Sequence, residues 1–326
     1  MKSHGPVPGF LWALASCAVG APATAQTFPA KPVRIIVGTA AGGGVDAISR
    51  ITGVRLAERW PHAVVVENRA GAGGAVASEF VAKSVADGHT LLTISIAYSV
   101  IPASHRNLGY DPIRDLVPVT VLVNAPNVLV SHPSLPVRTV KDLIALAQSG
   151  RGRDELQYAS SGNGSPAHLA GELLRLLSGT NFVHVPYKGT SPAMTDLIGG
   201  RVSFSFGSIV SSVPHVKTGK LRLLAATGSR RAASLPQTPT IAEAGVAGYA
   251  VDVWYAMLAP AATPRAVMST LNAEVTRVLH AAEQRERLAD MGLEPVGESL
   301  DASARYIDAE IAKWAKVAKA ARISAQ

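Results

Sequence analysis

The sequence has 326 residues, of which 48% are hydrophobic and 17% are charged, so the chain is too apolar to remain disordered and long enough for one large or two ordinary domains. Its formal net charge is +8, but the Lys and Arg residues are scattered and only 5% of the residues are aromatic. A nucleic-acid-binding protein concentrates basic and aromatic residues on one surface, so we expect no nucleic-acid partner.

The extreme N-terminus predicts a secretory signal over residues 1–25. Lys2 is followed by the apolar run 10–19 and then by Ala23-Thr24-Ala25, which is the layout of a leader that is cleaved before Gln26. The single cysteine, Cys17, follows a segment similar to a bacterial lipoprotein box, so lipid anchoring at Cys17 is the alternative. Both kinds of processing predict a periplasmic protein whose folded part has no cysteine for a disulfide, a thiolate metal site or a nucleophile.

Beyond the leader, short apolar runs alternate with segments of helical spacing. A first series predicts strands over 33–37, 64–67, 91–96 and 119–123 and helices over 47–60 and 75–84. A second series predicts strands over 127–130, 156–159, 182–185, 202–207 and 221–227 and helices over 140–148, 167–177 and 193–198. The last part predicts a strand over 254–259 and helices over 265–282 and 302–321. This alternation is typical of an α/β fold with a largely parallel sheet, and two series of similar size predict two lobes.

The loop between the first strand and the first helix is rich in glycine. Thr39, Ala41, Gly42 and Gly43 follow the strand, and Asp46 lies at the start of the helix. Glycine lets backbone N–H groups approach a ligand and permits a positive φ at Gly43, while a helix N-terminus carries a partial positive charge. The loop therefore predicts a site for a small anion, with Asp46 either capping the helix or contacting the ligand.

Two further loops also lead from a strand into a helix start. Serine followed by proline, as in Ser165-Pro166 and Ser191-Pro192, is typical of a capped helix N-terminus. The candidate ligand contacts are Ser160, Gly164, Ser165 and His168 in the first of these loops and Gly189 and Thr190 in the second. Three such loops in one α/β chain predict a common cleft.

Motifs along almost the whole mature chain carry a family resemblance. They are residues 28–37, Gly42-Gly43 with Asp46 and Arg50, 67–69 with 71–74, 87–88, 158–165 with 168–169, 184–189, 197–200, 239–240, 243–245, 259–260 and 263–264. In their order and spacing they are similar to the Bug proteins, which are the extracytoplasmic solute receptors of tripartite tricarboxylate transporters.

This resemblance implies a type II periplasmic-binding-protein fold, a Venus flytrap in which two α/β lobes joined by two crossing strands close on a ligand. Lobe 1 would comprise residues 26–125 plus 250–326, and lobe 2 residues 126–249. The expected ligand is a small carboxylate, and the expected partners are the permease subunits of the transporter. We expect a monomer without catalysis, metal or cofactor. The expected ligand-binding residues are Thr39, Ala41, Gly42, Gly43, Asp46, Ala72, Gly73, Ser160, Gly164, Ser165, His168, Gly189, Thr190 and Gly207.

Two positions depart from the family pattern. Family members usually carry Pro-Phe and further prolines where this chain has Gly38-Thr39-Ala40-Ala41, so a bulky aromatic wall is missing. Many members also have an acidic residue near Gly207, which in this chain is flanked by Phe206 and Ser208. Because a buried ammonium group needs such a partner, we expect a ligand without a primary amine.

Two other functions stay open on the sequence alone. A sensor whose liganded form docks onto a membrane kinase would carry the same residues. A hydrolase would need a serine near a histidine such as His168, for which both a packing role and a place in the cleft are open. The sequence has no Walker loop, no Gly-x-Ser-x-Gly elbow and no His-Glu-x-x-His pair, and we expect His184 to be a hydrogen-bonded strand residue.

Overall fold

The structure is a computed structural model that describes residues 28–105, 108–149, 156–321 and 323, together with Met1 and Gly5. The predicted secretory signal, with Cys17, lies outside the described residues apart from Met1 and Gly5. In the part of the chain that the structure describes, no helix is long and apolar enough to cross a membrane.

The described residues form eleven strands and ten α-helices, with two short 3-10 helices at Ala72–Gly74 and Ile96–Val100. The strands are β1 (Val33–Val37), β2 (Val64–Asn68), β3 (Thr90–Ser95), β4 (Leu116–Asn124), β5 (Asn127–Ser131), β6 (Gln157–Ser160), β7 (Val183–Pro186), β8 (Phe204–Ser208), β9 (Arg222–Ala226), β10 (Trp254–Pro260) and β11 (Glu294–Pro295). The helices are α1 (Gly44–Ala57), α2 (Ala75–Ala82), α3 (Ile101–Ser104), α4 (Val140–Gln148), α5 (Pro166–Ser178), α6 (Thr190–Ile198), α7 (Ile209–Lys217), α8 (Arg265–His280), α9 (Ala282–Asp290) and α10 (Leu300–Ala321).

The strands form two mixed sheets, in the orders β11-β4-β10-β3-β1-β2 and β7-β6-β8-β5-β9. β1 is parallel to β2 and β3, and β6 is parallel to β7 and β8. β10 is antiparallel to β3 and β4, and β5 is antiparallel to β8 and β9. In each sheet four strands run in one direction, which agrees with the prediction of a largely parallel sheet. The exceptions are β5 and β10, which enter their sheet from the other sheet and run against its strands, and β11, which is antiparallel to β4.

Helices cover both sheets, which is why the central strands are largely apolar. α1, α2, α8 and α10 pack on the first sheet, and α5, α6 and α7 pack on the second. In β1, the side chains of Val33, Ile35, Ile36 and Val37 are fully buried. Apart from Arg34, which is paired with Glu67 of β2, this strand is apolar, as is typical of a strand that is covered on both faces.

The chain crosses between the sheets twice, once at Ala125-Pro126 and once between β9 and β10. Backbone hydrogen bonds join the two connections. The N–H of Ala125 donates to the carbonyl of Val253 at 2.6 Å, and the N–H of Thr227 donates to the carbonyl of Asn127 at 2.9 Å. A cavity lies beside this crossing, with Ala125, Pro126 and Val253 in its lining, and the lobe boundaries stay a prediction.

Two helical segments differ from the sequence predictions. The helix predicted over 265–282 corresponds to α8, which ends at His280 because Ala281 has a non-helical ψ of 137°, and α9 beyond it was not predicted. The helix α7 was not predicted, since Pro214 lies inside it and proline in a helix interior lacks the N–H that the helix needs. This second difference matters because α7 begins at the cavity described next.

Candidate functional site

A cavity of about 500 Å³ lies between the two sheets. Both sheets line it, through the loop after β1, the crossing residues 125–127, the end of β8 with the start of α7, and residues 291–293 before β11. Its volume is within the usual range of small-molecule sites, roughly 300 to 1,000 Å³.

A second cavity of about 290 Å³ lies on the other side of the loop between β6 and α5. Its lining includes Ala72, Gly73, His105 and Gly164. Ser161 lines the first cavity, whereas Gly164 lines the second. The loop over 160–165 therefore borders both cavities.

Eight of the fourteen residues predicted to bind ligand line one of the two cavities. Those at the first cavity are Thr39, Gly42, Gly43, Thr190 and Gly207, and those at the second are Ala72, Gly73 and Gly164. The other six line neither cavity: Ala41, Asp46, Ser160, Ser165, His168 and Gly189. Ligand contact stays a prediction for all fourteen, but several of the six have structural tasks within the loops.

The three glycines at the start of α1 have different backbone and packing roles. Gly42 has a φ of +85°, which favours glycine, whereas Gly43 has a φ of −82° that other residues also adopt. The expectation of a positive φ at Gly43 was therefore wrong, because the turn is made one residue earlier. Gly44 has no room for a side chain, since a Cβ there would collide with the hydroxyl of Tyr255.

The Asp46 side chain holds the first loop in place from behind. Its Oδ2 accepts a hydrogen bond from the N–H of Gly42, and its Oδ1 accepts one from Nδ2 of Asn68, each at 2.9 Å. Asn68 also donates to the carbonyl of Thr39 at 3.0 Å. Although burial alone would raise the pKa of Asp46, hydrogen bonds from Arg50, Gly42 and Asn68 hold it below its ordinary value. The carboxylate is therefore occupied within the loop.

The second loop is tied to α5 and β7 by side chains that were predicted to face the ligand. Ser165 caps α5 by accepting a hydrogen bond from the N–H of His168 at 3.4 Å. The Nδ1 of His168 accepts one from the N–H of Gly164 at 2.9 Å, and Ser160 Oγ lies 2.6 Å from Nε2 of His184. His168 is thus directed toward its own loop and away from both cavities.

The first cavity is surrounded by helix N-termini. Gly44 begins α1, Pro166 begins α5, Thr190 begins α6 and Ile209 begins α7, and all four residues line the cavity. Among the described residues that line it there is no Arg, Lys, His, Asp or Glu. A helix N-terminus offers backbone N–H groups without intrahelical partners and about half a positive charge, so this cavity favours a small anion.

Comparison with known proteins agrees with this geometry. The family model described as the tripartite tricarboxylate transporter family receptor matches residues 48–323. The chain belongs to this receptor family.

One sequence relative and three solved structures extend the match over most of this chain. Protein BugT of Bordetella pertussis (strain Tohama I) is 35% identical over 94% of this chain and 94% of its own length. R. palustris Rpa4515, solved with adipate, is 38% identical over 91% of this chain and 99% of its own, with a TM-score of 0.81. The periplasmic binding protein BugD is 30% identical, with a TM-score of 0.78 over 92% of this chain and 100% of its own. MatC (Rpa3494) from Rhodopseudomonas palustris, solved with bound malate, is 31% identical, with a TM-score of 0.77 over 89% and 99%. The resemblance to Bug proteins and the periplasmic-binding-protein fold are confirmed.

Sequence reasoning missed several hydroxyl groups that this receptor brings to the first cavity. Ser208 caps α7 by accepting the N–H of Ser211 at 3.2 Å, and a serine directly after a strand was an available signal for that helix. Tyr255 lines the cavity from β10, and burial raises the pKa of Tyr255 to about 12, so its hydroxyl stays protonated and can donate. Tyr255 had no local signal, because it reaches the cavity only through the pairing of β10.

Proposed function

We propose that this receptor captures a small carboxylate in the cleft between its two sheets and delivers it to the permease subunits of a tripartite tricarboxylate transporter. The proposal rests on the cavity of about 500 Å³, which four helix N-termini surround. None of the described residues that line it has a charged side chain that would neutralise the partial positive charge of these helix ends. A carboxylate there would accept hydrogen bonds from backbone N–H groups and hydroxyls.

The relatives support the choice of ligand class. Rpa4515 was solved with adipate and MatC with malate, and both ligands carry two carboxylates. In this chain, Tyr255 and Thr39 offer hydroxyls at the same cavity, and Thr39 Oγ1 is buried with no hydrogen-bond partner among the described residues. We therefore propose that the ligand is a dicarboxylate whose carboxylate groups accept hydrogen bonds from such hydroxyls.

The binding role that we propose involves no chemistry on the ligand. The homologues are solute-binding receptors. One pair that resembles a nucleophile and its base is Ser160 and His184, but Ser160 is only 1% exposed and borders neither cavity. Burial, together with the neighbouring His168, lowers the pKa of His184 to about 3, which makes it a poor general base at neutral pH.

We further propose that residues 26–125 plus 250–326 form one lobe and residues 126–249 the other, and that they close on the ligand in the periplasm as a monomer. A signal over residues 1–25 would direct export, with lipid anchoring at Cys17 as the alternative. The two connections between the lobes, at Ala125-Pro126 and at Tyr249-Ala250, are where such a closing motion would bend.

Thermal-shift and calorimetric measurements on the mature protein test the proposed function. We expect adipate, malate or a related dicarboxylate to raise the melting temperature, since a ligand at a hundred times its dissociation constant adds about 2.7 kcal/mol to stability. The ligand should be recovered unchanged after long incubation. Failure of every mono-, di- and tricarboxylate to bind, or turnover of the bound one, would contradict the proposal.

A further inference from the structure

The loop over 160–165 is held at both of its ends by histidines that stack on each other. At its start, Ser160 Oγ lies 2.6 Å from Nε2 of His184, and at its end the N–H of Gly164 donates to Nδ1 of His168 at 2.9 Å. The two imidazole rings have centroids 4.0 Å apart and planes inclined by 7°. The loop that they hold borders both cavities.

The hydrogen bond at Gly164 requires His168 to be neutral. Because Nδ1 accepts the bond, the neutral ring carries its proton on Nε2. A second proton would go to Nδ1 and would face the donating N–H of Gly164, so the bond would be lost. Burial lowers the pKa of His168, although the nearby charge of Glu172 acts in the opposite direction. The pKa of His184 is lowered to about 3.

The elements packed around this pair offer little to stabilise a protonated ring. Tyr158 of β6 stacks on His184 with centroids 4.9 Å apart and donates its hydroxyl to Glu172 at 2.9 Å. Glu172 is also paired with Arg175 at 2.8 Å. Strand β8 and helix α10 also pack against α5, which carries His168. Strand β8 has no ionisable side chain, and no group on α10 contributes to the pKa of His168. The one nearby carboxylate is therefore already paired.

We propose that His168 is a positioning residue for ligand binding, which together with His184 holds the loop over 160–165 in its binding conformation while both rings are neutral. Protonation of His168 releases the loop and weakens the affinity for the ligand. The inference rests on the proposed function, because it concerns the same cleft. Affinity is then full at neutral pH and falls as the pH decreases below 6.5, the ordinary value for histidine.

Two substitutions separate the hydrogen bond from the packing of the ring. His168→Asn offers an acceptor in place of Nδ1 but does not titrate, whereas His168→Phe keeps a stacked ring and removes the acceptor. The probe is adipate, and its affinity is measured by calorimetry from pH 7.5 to pH 5 with a thermal melt of each variant. We expect H168N to bind within about threefold of the original protein at pH 7.5, and H168F to bind about tenfold more weakly.

The pH profiles decide the proposal. We expect the original protein to lose more affinity than H168N between pH 7.5 and pH 5, by up to about tenfold once His168 is protonated, since one hydrogen bond is lost only in that form. Because burial lowers the pKa of His168, the two profiles should separate toward the acidic end of this range. The affinity of H168N for adipate measures the pH dependence that does not come from residue 168, including the ionisation of adipate itself. Parallel profiles for the two proteins would overturn the proposal.

Amide hydrogen exchange at Gly164 gives a readout that needs no ligand. We expect the Gly164 N–H to be protected at neutral pH in the original protein and in H168N. Its protection factor, taken relative to the intrinsic exchange rate at each pH, should fall in acid only in the original protein. Equal protection in both at every pH would contradict the role of His168. If adipate and the other carboxylates do not bind, the proposed function fails, while this measurement still tests the loop.

Discussion

At the scale of single residues, the neighbouring glycines Gly43 and Gly44 serve different purposes. A Cβ at Gly43 would have the carbonyl oxygen of Ala40 at 3.7 Å as its nearest neighbour, so there is free space for a side chain. A Cβ at Gly44 would collide with the hydroxyl of Tyr255. A substitution at Gly43 should therefore act on the cavity, and one at Gly44 on the packing of α1 against β10.

This difference leads to paired expectations for substitutions in the first loop. Gly43→Val should leave the fold intact and weaken adipate binding at least about tenfold, because its side chain obstructs the approach to the backbone N–H groups of α1. Gly44→Ala should cost about 1 to 3 kcal/mol of unfolding free energy through overpacking, and Tyr255→Phe should restore part of it. Calorimetry and urea unfolding check both. Normal adipate affinity in Gly43→Val would remove this loop from the site.

The position of Gly207 leads to an expectation about ligand choice. Gly207 lines the first cavity, and a side chain there would collide with Oγ of Ser212, so the acidic residue that many family members carry nearby has no room at this position. Because no described residue that lines the cavity is acidic, an ammonium group would be buried without a partner.

The matched ligands glutarate and glutamate differ by one amino group and test this expectation. We expect glutarate to bind at least about tenfold more tightly, because the unpaired ammonium group has to be desolvated. Calorimetry measures both affinities under the same conditions. Tighter binding of glutamate would show that an ammonium partner exists, and Asp46 would be the first residue to substitute.

At the scale of whole elements, α5 and its cap determine how the second loop meets the cleft. Ser165 accepts the N–H of His168 as the cap of α5, and Pro166 follows at the first helical position. Ser165→Ala should lower the unfolding free energy by about 0.5 to 2 kcal/mol and weaken ligand binding, because one N–H of the first turn loses its acceptor. Ser165→Thr keeps the acceptor and is the control. Unchanged stability of Ser165→Ala in urea would show that the cap contributes nothing.

At the scale of the whole molecule, stability should fall in acid. Burial lowers the pKa of His184 from 6.5 to about 3, so the unfolded chain binds this proton more readily than the folded chain. The unfolding free energy is therefore highest above pH 6.5 and decreases between pH 6.5 and pH 3. The lowered pKa of Asp46 also decreases the unfolding free energy at more acidic pH. As the pH falls, the unfolded chain takes up a proton on this carboxylate before the folded chain does.

Urea unfolding at pH 7.5, 6 and 5 checks this pH dependence. Most carboxylates stay ionised over this range, so the decrease should come mainly from histidine, at no more than about 1.4 kcal/mol per pH unit for one group. His184→Asn should flatten the decrease, whereas His132→Asn, a substitution of a half-exposed histidine outside the stacked pair, should not. Parallel curves for the original protein and His184→Asn would contradict the expectation.

Local sequence alone determined those elements whose signals lie within a few residues of each other. The strand β1 and the helix α4 have the predicted bounds, because an apolar run specifies the one and a capping box of Thr139 and Asp142 accompanies the other. The glycine loop before α1 and the serine before α5 were recognised for the same reason.

Only the tertiary structure decided which groups reach the cavity. Tyr255 lies beside Gly44 because β10 returns from the other sheet and pairs between β3 and β4, which no local pattern shows. Asp46 and His168 carry the residue types of a binding site, yet each is used by its own loop, through Gly42 and Gly164. The place of Tyr255 at the cavity depends on strands that are distant in the chain. The directions of Asp46 and His168 depend on the backbone conformation of their loops, which the residue types alone do not specify.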